Sequence, residues 1–337
     1  MSRSSADGVH PQLRRAVLDC LADLRSGDQV LVACSGGPDS LALAAATVQV
    51  SRERNLRCAA VIVDHQLQPG SAEVAEQAAV TCRLLGMERI DVIPVSVTGD
   101  GGPEAAARAA RYQALAACAE EVDAVAVLLA HTMDDQAETV LLRLARGSGA
   151  RTLAAMAPQQ GLYRRPFLGL ARAIVHEGCQ QALAPLGRQP WQDPHNVDSR
   201  FARVRVRTVL ADLVQALGPG VVAGLARSAA LLRDDADALD EQAQTWLSLH
   251  VQESANCPRV EYDLPVEELM AMTRAVRTRV IRACCLAAGS PAADLDRAHI
   301  DEVERLVTHW HGQGEVALPG QVQAWRDYGR LRIHGRQ

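Results

Sequence analysis

The segment Leu-Val-Ala-Cys-Ser-Gly-Gly-Pro-Asp-Ser-Leu-Ala-Leu, residues 31–43, leaves one apolar run through a serine and two glycines and enters another with an aspartate near its start. Gly36 and Gly37 let backbone N–H groups converge on a phosphate without Cβ obstruction, and a helix beginning at Pro38 adds its positive end. Ser35 and Ser40 can donate their hydroxyls to phosphate oxygens. Asp39 would repel phosphate unless a cation lay between them, which makes it a candidate magnesium ligand. A tight strand-to-helix turn with a capping serine is the plainer alternative. The pattern is neither G-x-x-x-x-G-K-S/T nor G-x-G-x-x-G, so it disfavours a Walker ATPase and a dinucleotide site.

Further along, Asp64 and His65 follow a second apolar run, and His131 follows a fourth. In His-Thr-Met-Asp-Asp-Gln-Ala-Glu-Thr (131–139), Asp135 and Glu138 share a helix face. Such a pair could hold cationic amines, and one carboxylate could accept a proton. Thr132 and Asp135 also have capping-box spacing, a purely local use of the same residues. Arg111 could neutralise phosphate or sit on a solvated helix face. Gly147 and Gly149 suit a helix C-cap and turn. Arg203, Arg205 and Arg207 alternate, so in a strand they would line one face, a solvated face being the ordinary explanation.

Elements must carry these residues, and the chain is long enough for a large domain and a smaller one, at 337 residues. Its first half alternates apolar runs with amphipathic stretches: strands at 29–34, 57–65, 90–97 and 123–131, and helices at 40–54, 71–86, 103–121 and 134–146. Strands apolar throughout imply a parallel sheet covered on both faces, a doubly wound α/β domain with its ligand site beyond the carboxyl ends of the strands. Ser35, Asp64-His65 and His131 all fall at such ends. Residues 151–207 read as turn-rich, and Leu-Gly-Pro-Gly (217–220) as a hinge. Helices at 225–250, 274–289 and 299–311 and an alternating tail predict a smaller, mainly helical C-terminal domain ending in a β-hairpin. The expected division is 1–216 and 217–337.

The chain has no lysine, so a phosphate clamp must use arginine, histidine, backbone N–H or metal. A net charge of −5 argues against a general nucleic-acid sponge without excluding a basic face. The nine cysteines form no C-x-x-C pair and read as core residues of a reducing compartment, adjacent Cys284 and Cys285 as buried helix residues. The N-terminal stretch has no apolar h-region and no segment approaches a membrane span, so no membrane partner and a cytoplasmic location are expected.

Ser-Gly-Gly-Pro-Asp-Ser after the first strand resembles the PP-loop ATP pyrophosphatase superfamily (adenine nucleotide alpha-hydrolase-like), whose members cleave ATP to AMP and pyrophosphate. Segments 63–75, 103–112, 131–139, 146–156, 164–168 and 193–207, with the tail from Gly314, are similar in order and spacing to the tRNA(Ile)-lysidine synthase family. His195 and Thr132 depart from the family's usual residues. The resemblance implies ATP and Mg2+, free L-lysine, and an isoleucine tRNA with a CAU anticodon whose wobble cytidine is adenylated and then joined to lysine. It implies ATP contacts from Ser35 to Ser40, Asp64, His65, Gly147 and Gly149, with Asp39 on the metal. It implies lysine contacts from Arg111, Asp135 and Glu138, chemistry by Asp39, Arg111, His131, Asp135 and Glu138, and tRNA phosphate contacts from Arg203, Arg205 and Arg207. Another PP-loop enzyme such as a tRNA thiolase, or a non-catalytic nucleotide-binding regulator, are the alternatives. The oligomeric state is left open, a homodimer included.

Overall fold

The computed structural model describes residues 9–335 apart from 67, 98–102, 148, 195–197, 199 and 251–260. Six strands, β1 (Gln29–Ala33), β2 (Arg57–Asp64), β3 (Arg89–Pro94), β4 (Ala124–Leu128), β5 (Gln159–Gln160) and β6 (Tyr163–Arg164), form one sheet in the order β3-β2-β1-β4-β6-β5. All neighbours pair in parallel except β5 with β6. The chain leaves β1 toward β2 on one side and returns to β4 on the other, so the strand order reverses at β1. A crevice therefore opens beyond the carboxyl ends of β1 and β4.

The helices of the first compact unit, Met1–Ala230, are α1 (Pro11–Cys20), α2 (Pro38–Arg54), α3 (Ser71–Leu85), α4 (Pro103–Glu121), α5 (Met133–Leu144), α6 (Ala150–Leu153), α7 (Arg172–Leu183), α8 (Ala202–Leu217) and the start of α9 (Val221–His250). Side chains alternate across the sheet. Val30 and Val32 join a core with α1, α2, α3 and α7, whereas Leu31, Ala33, Val61 and Val127 meet Leu115, Cys118 and Ala119 of α4 on the other face. α2 is apolar nearly all round because it lies inside, between the sheet and α1 and α7. It stops at Asn55, whose left-handed φ of 52° forms the C-cap.

Residues 151–207 hold more regular structure than their composition predicts. Gly178 interrupts the helical appearance of α7, yet a Cβ there would collide with Leu13 of α1, so the glycine marks a close helix–helix approach. The expectation of a strand for Arg203–Arg207 is corrected: they lie in α8. The 3.6-residue repeat puts Arg203 and Arg207 on one side of that helix and Arg205 on the other. The Arg-Arg-Pro-Phe-Leu segment is structural in its first part. Arg164 is buried and donates to Asp23 Oδ2 at 2.9 Å and to Cys20 O at 2.8 Å, tying β6 to the end of α1.

The second compact unit, Leu231–Gln337, begins inside α9, beyond the α8–α9 turn at 217–220. It contains β7 (Glu261–Pro265), α10 (Val266–Ala271), α11 (Arg274–Ala287), α12 (Arg297–Thr308), β8 (Val316–Leu318), β9 (Val322–Asp327) and β10 (Arg330–Gly335). The tail forms the expected hairpin, β9 with β10, and gains β8 and β7 at its edges in an antiparallel sheet ordered β7-β10-β9-β8. Leu331 and Ile333 point from it toward Val280, Ile281, Val303 and Leu306, and Cys284 and Cys285 are buried in the same core. Among the described residues no single helix is long and apolar enough to cross a membrane.

Phe167, fully buried between Pro166 and Gly169, is one of two phenylalanines in the chain. Phe167→Ala should cost about 3–5 kcal/mol by emptying the core beneath α1 and α2, read as a lowered denaturant midpoint at unchanged slope.

Candidate functional site

The glycine loop is built by one positive φ and one serine. Gly36 has φ of +79°, and a Cβ there would come within 3.1 Å of the Ala78 Cβ of α3. Its carbonyl accepts the Trp191 N–H at 2.9 Å, so a strap from the far end of the unit fastens the turn. Ser40 is buried, and its hydroxyl donates to Gly37 O at 3.0 Å and accepts the Ser35 N–H at 3.1 Å. Ser40 thus holds the loop's shape, whereas Ser35 is exposed. Pro38 begins α2 and Asp39 occupies its first turn. Asp39 Oδ1 is buried with no hydrogen-bond partner, although His176 Nε2 stands 3.2 Å away in an orientation that makes no hydrogen bond.

The loop borders a cleft of about 720 Å³ that also takes in Asp64, His65, Arg111, Arg172, Trp191 and Arg207. Asp64 ends β2 and accepts the Gln66 N–H at 2.9 Å, turning the chain back at the cleft edge. Burial and the Arg111 charge lower the His65 pKa against the pull of Asp64. Burial also lowers the Arg111 pKa, with Arg108 and Arg203 adding repulsion.

Beyond β4, the capping box is real: Thr132 N–H and Oγ1 donate to Asp135 Oδ2, both at 2.8 Å. That leaves Asp135 Oδ1 for another partner. Arg172, the first residue of α7, donates through Nη2 to Asp135 Oδ1 at 2.8 Å and to Glu138 Oε1 at 3.0 Å, while its backbone N–H donates to Asp134 Oδ2 at 2.7 Å. Arg207 of α8 adds its Nε to Glu138 Oε1 at 2.8 Å. The Glu138 side chain is 1% exposed, and its Oε2 has no hydrogen-bond partner. Burial alone would raise the Asp135 carboxyl, but Arg172, the Thr132 hydrogen bonds and His131 hold it below its ordinary range. His131 is pushed down to about 3, chiefly by burial, against the pull of Asp135 and with Arg111, Arg165 and Arg108 adding repulsion, so it is a neutral imidazole at physiological pH.

The expected residues are therefore gathered unequally. Ser35, Gly37, Pro38, Asp39, Ser40, Asp64, His65, Arg111 and Arg207 line the cleft; Asp135 and Glu138 reach it through Arg172 and Arg207. Gly36 is the pivot behind it. Gly147 and Gly149 shape the α5–α6 connection and do not line it, and Arg205 turns its Nη1 to Arg200 O at 2.8 Å. His195 lies outside the described residues. Sequence reading missed Arg172, His176 and Trp191; the first two are spaced four apart on α7, a signal visible only once that helix is recognised. Among the described residues no three His, Cys, Asp or Glu side chains cluster as a metal site. Asp39 fits a magnesium ion held by one carboxylate and substrate phosphates, the usual arrangement for that hard cation.

Removing Arg172 would take the guanidinium from Asp135 Oδ1 and leave buried Glu138 to Arg207 alone. Arg172→Met should cost roughly 3 kcal/mol in urea denaturation at neutral pH. Asp135 has a folded pKa held below its ordinary value of 3.8, so the stabilisation is complete above that value and is lost as pH falls through the folded one. The parent–variant difference should accordingly shrink when the titrations are repeated toward acid.

Residues 9–214 match the family model described as PP-loop domain, and residues 264–332 match the TilS substrate binding domain. The tRNA(Ile)-lysidine synthase of Thermobifida fusca (strain YX) is 51% identical over 322 residues, covering 95% of this chain and 96% of its own. That of Streptomyces coelicolor (strain ATCC BAA-471 / A3(2) / M145) is 48% identical over 308 residues, covering 90% and 84%. Among solved structures, the U34-tRNA thiolase NcsA from Methanococcus maripaludis with its 4Fe–4S cluster superposes with a TM-score of 0.55 at 17% identity, over 66% of this chain and 78% of that one, a likeness of fold. A PP-loop domain over residues 9–214, a TilS substrate binding domain over 264–332 and about half-identity to these relatives over most of the chain place it in the tRNA(Ile)-lysidine synthase family.

Proposed function

We propose that the chain joins L-lysine to C2 of the wobble cytidine of the CAU-anticodon isoleucine tRNA through an adenylated cytidine, in the cytoplasm. The observation that carries this reading is the cleft itself: the Ser35–Ser40 loop lines it, and Arg172 and Arg207 in the same lining reach back to Asp135 and Glu138, three residues apart on α5. An anion-binding loop near a carboxylate pair held by arginines suits a nucleotide and a diamino acid meeting at one base.

In the first step the C2 oxygen of the cytidine attacks the α-phosphorus and pyrophosphate leaves. The loop N–H groups, the Ser35 hydroxyl and the positive end of α2 hold the phosphates, and Arg111 offsets the charge that builds up. Asp39 would hold Mg2+, which when bound supplies further positive charge to the phosphates. Neutral His131 can orient the base or a phosphate oxygen by hydrogen bonding without adding charge. In the second step the lysine ε-ammonium gives a proton to Asp135 or Glu138, the amine attacks C2, and AMP leaves with the former C2 oxygen. Arg172 lowers the Asp135 pKa and so favours its ionised form, and it donates to Glu138 from the same guanidinium. Lysine's ammonium groups would share them with Arg172 and replace part of the contact from Arg207. Arg203 lies near Arg111 electrostatically, and Arg203 and Arg207 share the α8 face from which tRNA phosphates could be reached.

The test is pyrophosphate release with magnesium-ATP, L-lysine and the tRNA transcript, each omitted in turn, with mass analysis of the nucleosides. Release that requires the tRNA, and a cytidine carrying lysine, is the expected result. Release without lysine incorporation would point to another nucleophile, and a protein that binds ATP but releases nothing would be a regulator. Asp39→Asn should lower release by about a hundredfold or more. Asp135→Asn should keep ATP binding and adenylation while lysine incorporation falls by at least about a hundredfold; normal incorporation would remove Asp135 from the second step.

A further inference from the structure

The β9–β10 hairpin closes through two residues, Tyr328 and Gly329, between the paired Asp327 and Arg330. Both have positive φ, 43° and 74°. Consecutive left-handed residues define a type I′ turn, whose first position favours asparagine or glycine. A tyrosine there is a conformational outlier, because its bulky side chain disfavours that region. It gains nothing visible in return: Tyr328 is 94% exposed, and among the described residues it makes no side-chain hydrogen bond or ring contact. The chain has only four tyrosines, four tryptophans and two phenylalanines. Others are employed, as in the Tyr112–Tyr163 edge contact and Trp246 stacked on His250.

The tip is also held. Gly329 O accepts the Val266 N–H at 3.0 Å, which fixes the turn against the start of α10. Behind it, Leu331 and Ile333 face the core, so Arg330 and Arg332 face outward, with Trp325 opposite Arg332 in the ladder. An exposed ring on a turn whose backbone is held, at the end of an outward face that carries Trp325 and arginines paired with Asp263, is suited to a partner that presents flat, stackable groups.

We propose that Tyr328 is a stacking platform for an unpaired nucleobase of the tRNA. The proposal rests on the reading of tRNA as the substrate, and the hairpin tip falls within the segment that matches the substrate binding domain. Unpaired bases of RNA loops stack on aromatic side chains, a contact tolerant of sequence because every base has a flat face. The strain at the turn is the cost of placing the ring where a base can reach it.

The test uses the full chain with Tyr328→Asn and Tyr328→Phe, and measures binding of the CAU-anticodon isoleucine tRNA transcript without ATP or lysine, over a salt series. Tyr328→Asn should weaken binding about tenfold with the salt slope unchanged, because a stacked ring carries no charge. Tyr328→Phe should stay within about twofold, since the ring remains. The melting temperature of Tyr328→Asn should hold or rise, because Asn-Gly suits this turn. Equal affinity of Tyr328→Asn and the parent would overturn the proposal, as would equal weakening by both variants. A changed oligomeric state with unaltered tRNA affinity would assign the ring to a second copy and overturn it too. If the parent binds tRNA but makes no lysidine, only the reaction reading fails; if the parent binds no tRNA, both fail.

Discussion

In a parallel sheet every connection must cross over, and all strands deliver their loops to the same edge. Here β1 lies between β2 and β4, so its following loop and those of both neighbours open at one edge while the crossovers diverge. The rest of the site depends on that placement. The glycine loop follows β1, Asp64 and His65 end β2, and His131 and the α5 carboxylates follow β4. α7 and α8 then bring arginines from much later in the chain to the same edge. Shifting any of these strands would scatter groups that chemistry needs within a few ångströms.

Electrostatics then decides what the edge can do. Two buried carboxylates three residues apart would repel and take up protons if left alone. Arg172 bridges them and Arg207 adds to one, and the Asp135 carboxyl is held below its ordinary range. A chain without lysine must build such clamps from arginine, whose forked donors can meet two carboxylates at once. The glycine loop presents backbone N–H groups and a helix start beside Arg111, while Asp39 leaves a buried oxygen without a hydrogen bond.

The same sheet serves different reactions. A thiolase at 17% identity shares the fold over 66% of this chain, so the fold by itself identifies little. The second unit matches the TilS substrate binding domain, and its small antiparallel sheet packs with α10, α11, α12 and the end of α9 in a separate core. Its most exposed ring occupies a turn position that packing would not choose for it.

Much was legible in the chain alone, for local reasons. The first four strands and the helices between them follow from apolar runs and helical repeats, and the Ser35–Ser40 loop from glycines that only a tight turn requires. The Thr132–Asp135 capping box is likewise a matter of three-residue spacing and was readable as such. Other features needed the folded molecule. The arginines at 203, 205 and 207 alternate as in a strand, but their contacts belong to a helix, which sends Arg207 to Glu138 and Arg205 elsewhere. Arg172 lies far from Asp135 in sequence, and Gly178 hides its helix by a gap that only Leu13 of α1 explains. Ser40 looks like a phosphate donor until its hydroxyl is found holding Gly37 and Ser35. Period and spacing report what a residue's near neighbours demand, so the sequence determined the elements and the family. Which distant side chain neutralises a buried charge depends on how those elements pack, and only the tertiary structure decided that.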